Sequence, residues 1–497
     1  MYKGPSFILE FKINIEPYQK DILDKEYCKC NRLYNNAARY AIKQINQLKR
    51  TKKYKLIIEN FKKAKDKKER KPFYDELKKL EEEYKLTRPD IEKYMKIGNK
   101  KAFNKSIKAQ IFQSLAKELY LAINSSIYKG TDLKYRKYGS TNTLSSKSAN
   151  CTILYNKDKN IFKYDKKIFR LKDIRKRDCY VYEAKENEIS NCKIVRKLIG
   201  NKYSYYLQVV FRGLPPKKLS RGEGNIGIDQ GTSTIAYYKN DLIGFIELAP
   251  KVKEYNKEIL KIQRSLERKL RLNNPENYNK DGTIKKGSKF KRSNNYKKEL
   301  LKLKNLYRKR TIYVKEEHNK LTNFIIQNSD TIIKETLNFK ALQKRSTKPT
   351  EKQDKKSIIK DKKGNIKEIY KFKRKKRYGK SLNNHSPGYL DAQILKRADE
   401  LGIDIIKVDM LKYRASQYRH DKDEYIKPKL SDRVKIIDGK KVQRDLYSAF
   451  LLNNYKDEEA IDREKCIKEF DNFIKQQDEL IKIIKDNTGN FGLKNFK

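Results

Sequence analysis

Apolar and polar residues alternate at the start of the chain, with Phe7, Leu9, Phe11, Ile13 and Ile15 on one side and Glu10, Lys12 and Asn14 on the other. That period of two predicts a half-buried strand. From about residue 20 to 128 the period lengthens: Leu33, Ala37, Ala41, Ile45 and Leu48, then Ile111, Leu115, Leu119 and Ile123, recur at helical spacing with Lys and Arg between them. This predicts a basic helical insert, interrupted near Pro89. Residues 151–213 return to strand character in Ile161-Phe162, Ile168-Phe-Arg-Leu171, Tyr180-Val-Tyr182 and the series Tyr205, Leu207, Val209, Phe211. Pro215-Pro216 and the polar run after them read as a linker over 215–224. A strand, a helical insertion and a return to strands predict a split β-barrel, 1–19 with 129–214, holding a helical lobe over 20–128.

After the linker the pattern is that of a meander over 225–229, 234–238 and 242–248, followed by two long helices over 252–272 and 294–328. The loop between those helices, 273–293, is rich in Gly, Asn and Lys. A strand is expected at Thr331–Leu337, a helix at Leu390–Leu401 and another strand at Ile403–Met410. Strands alternating with helices in this way suit an RNase H-like α/β domain over 225–407 and 442–497. Residues 344–384, which include the run Lys371-Phe-Lys-Arg-Lys-Lys-Arg377, have the composition of a solvated tether that nucleic acid would order. The fold class expected is therefore multidomain, α+β followed by α/β.

Charge narrows the class of partner. Against 63 Asp and Glu the 497 residues carry 121 Lys and Arg, a formal net charge of +58, which projects an attractive potential toward a long polyanion. An anionic membrane is the other partner such a chain could seek. No apolar run of about 18 residues and no secretory signal is present, so nucleic acid and a prokaryotic cytoplasmic location are expected. The six cysteines, Cys28, Cys30, Cys151, Cys179, Cys192 and Cys466, form no C-x-x-C pair and are expected to be free thiols.

Three acids carry the candidate chemistry: Asp229 in Asn225-Ile-Gly-Ile-Asp-Gln-Gly231, Glu335 in Ile332-Ile-Lys-Glu-Thr-Leu-Asn338, and Asp445 in Gln443-Arg-Asp-Leu-Tyr-Ser-Ala-Phe450. Carboxylates distant in sequence but gathered by a fold can hold two Mg²⁺ ions about 3.5 to 4 Å apart and promote phosphodiester hydrolysis. Asp229 ends a strand, and Gly231 lets the chain turn away from it. Its segment also resembles the phosphate loop of the sugar kinase and actin superfamily, but a second glycine-rich Asp-x-Gly-Gly segment is missing. Glu335 lies on an apolar strand, a costly place for a carboxylate without a compensating cation. Asp445 opens a helical pattern, where a helix cap is the alternative reading.

Each of the three segments resembles an active-site segment of RuvC-type nucleases. With Ile333-Lys-Glu-Thr-Leu-Asn-Phe-Lys-Ala-Leu342 and Ser386-Pro-Gly-Tyr389, the layout resembles the transposon-encoded TnpB proteins and their descendants, the miniature type V-F CRISPR effectors, a clostridial member of the latter being one candidate. The resemblance covers the whole chain in layout and is specific over residues 225–450. It implies wedge strands with a helical recognition insert, then a RuvC domain with Asp229, Glu335 and Asp445 as Mg²⁺ ligands. It also implies a guide RNA that reads target DNA by base pairing, while the protein reads duplex shape and a short flanking motif.

One departure is plain. Where the family carries two C-x-x-C pairs as a zinc ribbon, residues 408–441 contain no cysteine and one histidine, His420, so a target-nucleic-acid-binding insertion without zinc is expected. Arg433 stands where the family often has an arginine reaching the scissile phosphate; a surface arginine is the alternative. Basic residues beside apolar helix stripes, Arg264, Arg268, Lys269, Arg271, Lys304, Arg308 and Arg310, are candidates for phosphate contacts. Tyr34 and Tyr40 suit base stacking or core packing. Resemblance, together with the apolar Leu119, Leu121 and Ile123, leads to the expectation of a homodimer assembled on one guide RNA. A TnpB nuclease and a guided DNA-binding repressor remain the competing functions.

Overall fold

The computed structural model describes residues 4–64, 66–149, 151–173, 178–216, 219–343, 356–360, 366–370, 378–409, 412–427, 429, 432–457 and 460–488. They form a mixed α and β arrangement of two compact units, Met1–Pro216 and Lys217–Lys497.

In the first unit β1 (Ser6–Asn14) alternates as its sequence requires, with Leu9, Phe11 and Ile13 buried. Five helices follow: α1 (Pro17–Arg50), α2 (Lys52–Lys63), α3 (Lys67–Glu83), α4 (Arg88–Phe103) and α5 (Ala109–Lys129). The nine apolar positions singled out at helical spacing are all buried. The insert is interrupted near Pro89 as expected, at residues 84–87 between α3 and α4; Pro89 itself sits in the first turn of α4, where its missing N–H costs nothing, and Thr87 caps that turn by accepting from the Asp90 N–H at 3.4 Å. Tyr34 lies under the Arg136 guanidinium, 3.6 Å from the ring centroid, and Tyr40 stacks on Tyr94 at 4.5 Å, so both serve packing. Leu119 and Ile123 belong to the core and Leu121 alone of that trio is exposed, at 59%. Spacing that suggested adjoining apolar faces therefore reflects one buried face.

The unit's sheet is completed by β2 (Thr143–Ser145), β3 (Ile153–Asn156), β4 (Ile161–Tyr164), β5 (Lys167–Leu171), β6 (Ile189–Ile199) and β7 (Lys202–Arg212). The order is β2-β6-β7-β1-β5-β4-β3, antiparallel at every pairing. Along β1, residues 6–12 pair with β7 and residues 13–14 with β5. Phe11 of β1 stacks on Tyr155 of β3 at 5.7 Å although two strands separate them in the order, so the sheet curls over its own core. The strand expected at Tyr180–Tyr182 is instead the short helix α6 (Cys179–Lys185). Asp178 caps it by accepting from the Val181 N–H at 3.4 Å, and over three residues that local bond outweighs β propensity.

The second unit is built on β8 (Asn225–Gln230), β9 (Thr234–Lys239), β10 (Leu242–Glu247), β11 (Thr331–Glu335) and, later in the chain, a fifth strand at Asp404–Val408. Between β10 and β11 lie α7 (Val252–Leu272) and α8 (Asn294–Gln327), which pack on each other through Ile259, Leu266, Tyr296, Leu303 and Leu306. After β11 come α9 (Phe339–Leu342), the hairpin β12 (Lys356–Lys360) with β13 (Ile366–Tyr370), α10 (Gly379–His385), α11 (Pro387–Leu401) and the fifth sheet strand, β14 (Asp404–Val408). The stretch expected to be a tether thus contains a hairpin and a helix; two five-residue runs rich in β-formers lie among its lysines. Its basic run 371–377 lies outside the described residues, as does Met410. The remaining elements are β15 (Tyr418–Arg419), β16 (Glu424–Tyr425), β17 (Val434–Ile437), β18 (Lys440–Gln443), α12 (Arg444–Asn453) and α13 (Arg463–Thr488).

The five-stranded sheet runs β10-β9-β8-β11-β14, with β8, β11 and β14 parallel to one another and β9 antiparallel to both its neighbours. One face is covered by α8 and α11, through Ile325, Ile326, Leu390, Ile394 and Ala398 against Ile226, Ile228 and Ile332. The opposite face is covered by α12 and α13, through Leu446, Ala449, Phe450 and Phe473 against Ala236, Tyr238 and Ile333. Gly227 is what lets α12 lie so close: a Cβ there would stand 2.2 Å from the Ala449 carbonyl oxygen and 2.4 Å from the Asn453 nitrogen.

Candidate active site

Side chains alternate across a strand, so Asp229 leaves β8 on the same face as Gly227, which touches α12. Glu335 likewise leaves β11 on the face of Ile333, which is in the α12 core. The register pairs Lys334 with Ile228, which sets Glu335 beside Asp229 at the carboxyl ends of two neighbouring parallel strands. Asp445 is the second residue of α12 and lies on that same face. Three segments far apart in sequence thus bring their acids to one end of the sheet, outside the strand carboxyl ends where open α/β sheets bind ligands.

Burial raises the Asp229 carboxyl well above the ordinary carboxylate range; Asp445 and then Glu335 push it further, and Arg444 and Arg433 only partly offset this. Asp229 keeps a small accessible patch although protein surrounds it on nearly every side. Burial also pushes Glu335 up to about 7. A carboxylate cluster that repels itself and is short of solvent gains from a cation, and its all-oxygen donor set suits a hard divalent ion such as Mg²⁺. Among the described residues no three His, Cys, Asp or Glu side chains stand close enough as placed to share one ion. Mg²⁺ commonly takes only one or two protein carboxylates and keeps its waters, so the donor set fits it.

Asp445 is held by two guanidinium groups. Arg433 Nη1 donates to its Oδ2 at 3.2 Å, and Arg444 Nε and Nη2 each donate to its Oδ1 at 3.2 Å. Arg444 is anchored further, with Nη1 donating to the Asp432 carbonyl at 3.0 Å and its backbone N–H to the Arg433 carbonyl at 3.0 Å. Sequence reasoning reached Arg433 and missed Arg444, although its place beside an acid in a helical first turn was a usable signal. The helix-cap alternative for Asp445 is set aside: Gln443 caps α12, its Oε1 accepting from the Leu446 N–H at 2.7 Å. Gln477 of α13 in turn accepts from the Gln443 N–H at 2.7 Å.

Beside the site, Gln230 donates from Nε2 to the Pro387 carbonyl at 2.8 Å, which ties the end of β8 to the Ser386-Pro-Gly-Tyr segment opening α11. His420 is a core residue. Its Nδ1 meets the Tyr447 hydroxyl at 2.7 Å and its ring packs edge-on against Phe470 at 4.6 Å. All six cysteines are free.

Of the seven basic residues singled out on the two long helices, four are committed to protein partners. Lys269 bonds Glu299 at 2.5 Å, Arg271 bonds Glu267 at 3.0 Å, Arg308 bonds Asn305 at 2.9 Å, and Arg310 bonds the Asn383 carbonyl at 3.0 Å. Arg264, Arg268 and Lys304 are exposed and have no hydrogen-bond or ion-pair partner among the described residues.

No family model matches the chain, and no curated protein matches it. Solved structures similar to it include three Cas12 complexes. A cryo-EM structure of a Cas12f1–sgRNA–target DNA complex matches over 90% of this chain and 98% of that one, at 13% identity and a TM-score of 0.44. A CRISPR-Cas12f ternary complex matches over 89% of this chain and 83% of that one, at 14% identity and a TM-score of 0.26. A Cas12i–crRNA–dsDNA complex matches over 92% of this chain, which spans 64% of that one, at 10% identity and a TM-score of 0.26. No helix among the described residues is long and apolar enough to cross a membrane.

Proposed function

We propose that this chain is an RNA-guided DNA endonuclease of the miniature type V-F kind, hydrolysing phosphodiester bonds at one RuvC site formed by Asp229, Glu335 and Asp445. The observation that carries the reading is the convergence of these acids, from two parallel strands and the first turn of α12, on one end of a sheet ordered β10-β9-β8-β11-β14. That order, with only the second strand antiparallel to its neighbours, suits an RNase H-like domain. A net charge of +58 suits the long polyanion that a guide and its target make together. In this reading 1–19 and 129–214 are the wedge, 20–128 the recognition lobe, and 408–441 a target-nucleic-acid-binding insertion without zinc.

Asp229, Glu335 and Asp445 would hold two Mg²⁺ ions. Ions bound there would neutralise the phosphate and supply an acidified water at neutral pH. The chain's own residues divide the rest. Burial raises both Asp229 and Glu335, Glu335 to about 7, so a cation arriving there competes with protons for their oxygens. Arg444, 12% exposed and bonded at three atoms, stays with Asp445. Arg433, 48% exposed and bonded through one, can swing from Asp445 to an incoming phosphate. That gives it a positioning role on the substrate.

The test is cleavage. Protein loaded with its copurified RNA should cut matched duplex DNA with Mg²⁺ and not without it, and Asp229→Asn, Glu335→Gln and Asp445→Asn should each reduce cutting to background while RNA binding persists. Undiminished cutting by any one variant removes that residue from the site. Binding without cutting by the wild type would favour the repressor. Pairing of two copies on one RNA rests on the family resemblance, because the apolar trio once counted for it is mostly core. Light scattering giving one protein per RNA would favour a TnpB-like nuclease.

A further inference from the structure

Next to the acids, but outside them, a cavity of about 310 Å³ opens beside β15 and β17. Among its lining residues are Arg419, Lys427, Lys429, Lys435 and a single acid, Asp432. Arg419 is already paired with Asp421, at 2.7 Å, and lies 3.8 Å from Glu424, and Asp432 accepts from the Lys429 N–H at 3.1 Å. The lysines are different. Among the described residues Lys427 and Lys429 have no ion pair, and the Lys435 Nζ is buried with no hydrogen-bond partner. The Tyr447 ring lies 5.4 Å from that nitrogen, and burial with Arg444 and Arg419 nearby lowers its pKa to about 8. A buried ammonium with three donors and no acceptor is costly unless an anion completes it. Lys435 also lies two residues, roughly 6.6 Å of extended chain, from Arg433, which bonds Asp445.

We propose that this cavity receives one phosphodiester group of a nucleic-acid strand running past Asp445, with the Lys435 ammonium as its innermost contact and Lys427 and Lys429 at its rim. The inference rests on the nuclease reading only for the identity of the polyanion. The cavity holds the strand and takes no part in the bond-breaking step, so it can be examined without divalent ions.

Binding of a fluorescent single-stranded DNA by the full-length protein in EDTA, over a range of salt, is the measurement. Lys435→Met keeps the side chain's length and removes an unpaired buried charge, so it should melt no lower than the wild type. It should bind DNA roughly tenfold more weakly, and the slope of log affinity on log salt should fall by about 0.7, the share of one phosphate on a single strand. Lys435→Arg, which keeps the charge, should retain the wild-type slope. An unchanged affinity and slope in Lys435→Met, or equal losses in the Met and Arg variants, would overturn the phosphate contact. Polyglutamate competing as well as DNA of equal charge would overturn the assignment to nucleic acid. If the wild type itself binds no nucleic acid, the nuclease reading falls as well; if it binds and cuts normally while Lys435→Met matches it, the cavity alone falls.

Discussion

At Glu335 burial works against the charge that the proposed chemistry needs, and this has a measurable sign. Its folded-state pKa of about 7 lies above the usual glutamate value of 4.5. The folded protein therefore binds this proton more tightly than the unfolded chain. Stability from this group is present below pH 4.5 and is lost as pH rises to about 7, on the order of 3 kcal/mol across that window. In EDTA, the difference in melting temperature between the wild type and Glu335→Gln should therefore change in the variant's favour from pH 5 to 7.5. A constant difference would contradict the raised pKa. Protons and cations compete for the same oxygens, so the Mg²⁺ concentration giving half-maximal cutting should fall between pH 6 and 8; a flat requirement would detach Glu335 from the metal. What sequence made legible here was the acid and its apolar strand. The guanidinium groups on Asp445 were half legible: Arg433 was reached through resemblance, and Arg444 was passed over although it adjoins an acid in a helical first turn.

Among the elements, the contact between α12 and β8 is the joint on which the acids depend. A methyl group at Gly227 would meet backbone atoms of α12 at 2.2 and 2.4 Å, and backbone cannot step aside as a flexible side chain can. Gly227→Ala should cost at least roughly 1–3 kcal/mol and abolish cutting by displacing Asp445 from Asp229. Gly388 in α11 is the contrast: a Cβ there would meet Phe339 at an ordinary 3.6 Å, so Gly388→Ala should melt no lower than the wild type. Thermal melts of the two variants side by side check both. A glycine beside a catalytic-looking aspartate invites a reading as a turn residue, and the sequence alone did not disclose that a helix more than two hundred residues later needs the space. Long periodic elements such as α7 and α8 were legible to within a residue or two. Short ones were not: α6 was hidden by a three-residue β-rich run, and the β12–β13 hairpin by the lysines around it, because a local cap or a cross-strand pairing decides such segments.

For the whole molecule the charge is the dominant fact. With many phosphates neutralised, log affinity for RNA should fall with log salt by roughly 0.9 per phosphate on duplex segments and 0.7 on single strands, and a nearly flat response would contradict the nucleic-acid reading. Alanine at Arg264, Arg268 and Lys304, which have no partner among the described residues, should lower that slope more than alanine at the committed Lys269, Arg271 and Arg308. Elemental analysis is expected to find no stoichiometric zinc, and one zinc per chain would point to a ligand set other than any considered for residues 408–441. The central strand of the sheet has a further consequence, for synthesis. β8 leaves the ribosome early, but β11, beside it, and α12, across its face, emerge only after long intervening stretches. Closing such distant contacts comes late in folding, and chains fold as units while they are made. The nascent protein therefore cannot assemble its acids until Asp445 and the α12 residues behind it have been translated. In the proposed nuclease reading, a chain still short of α12 has no assembled cutting site.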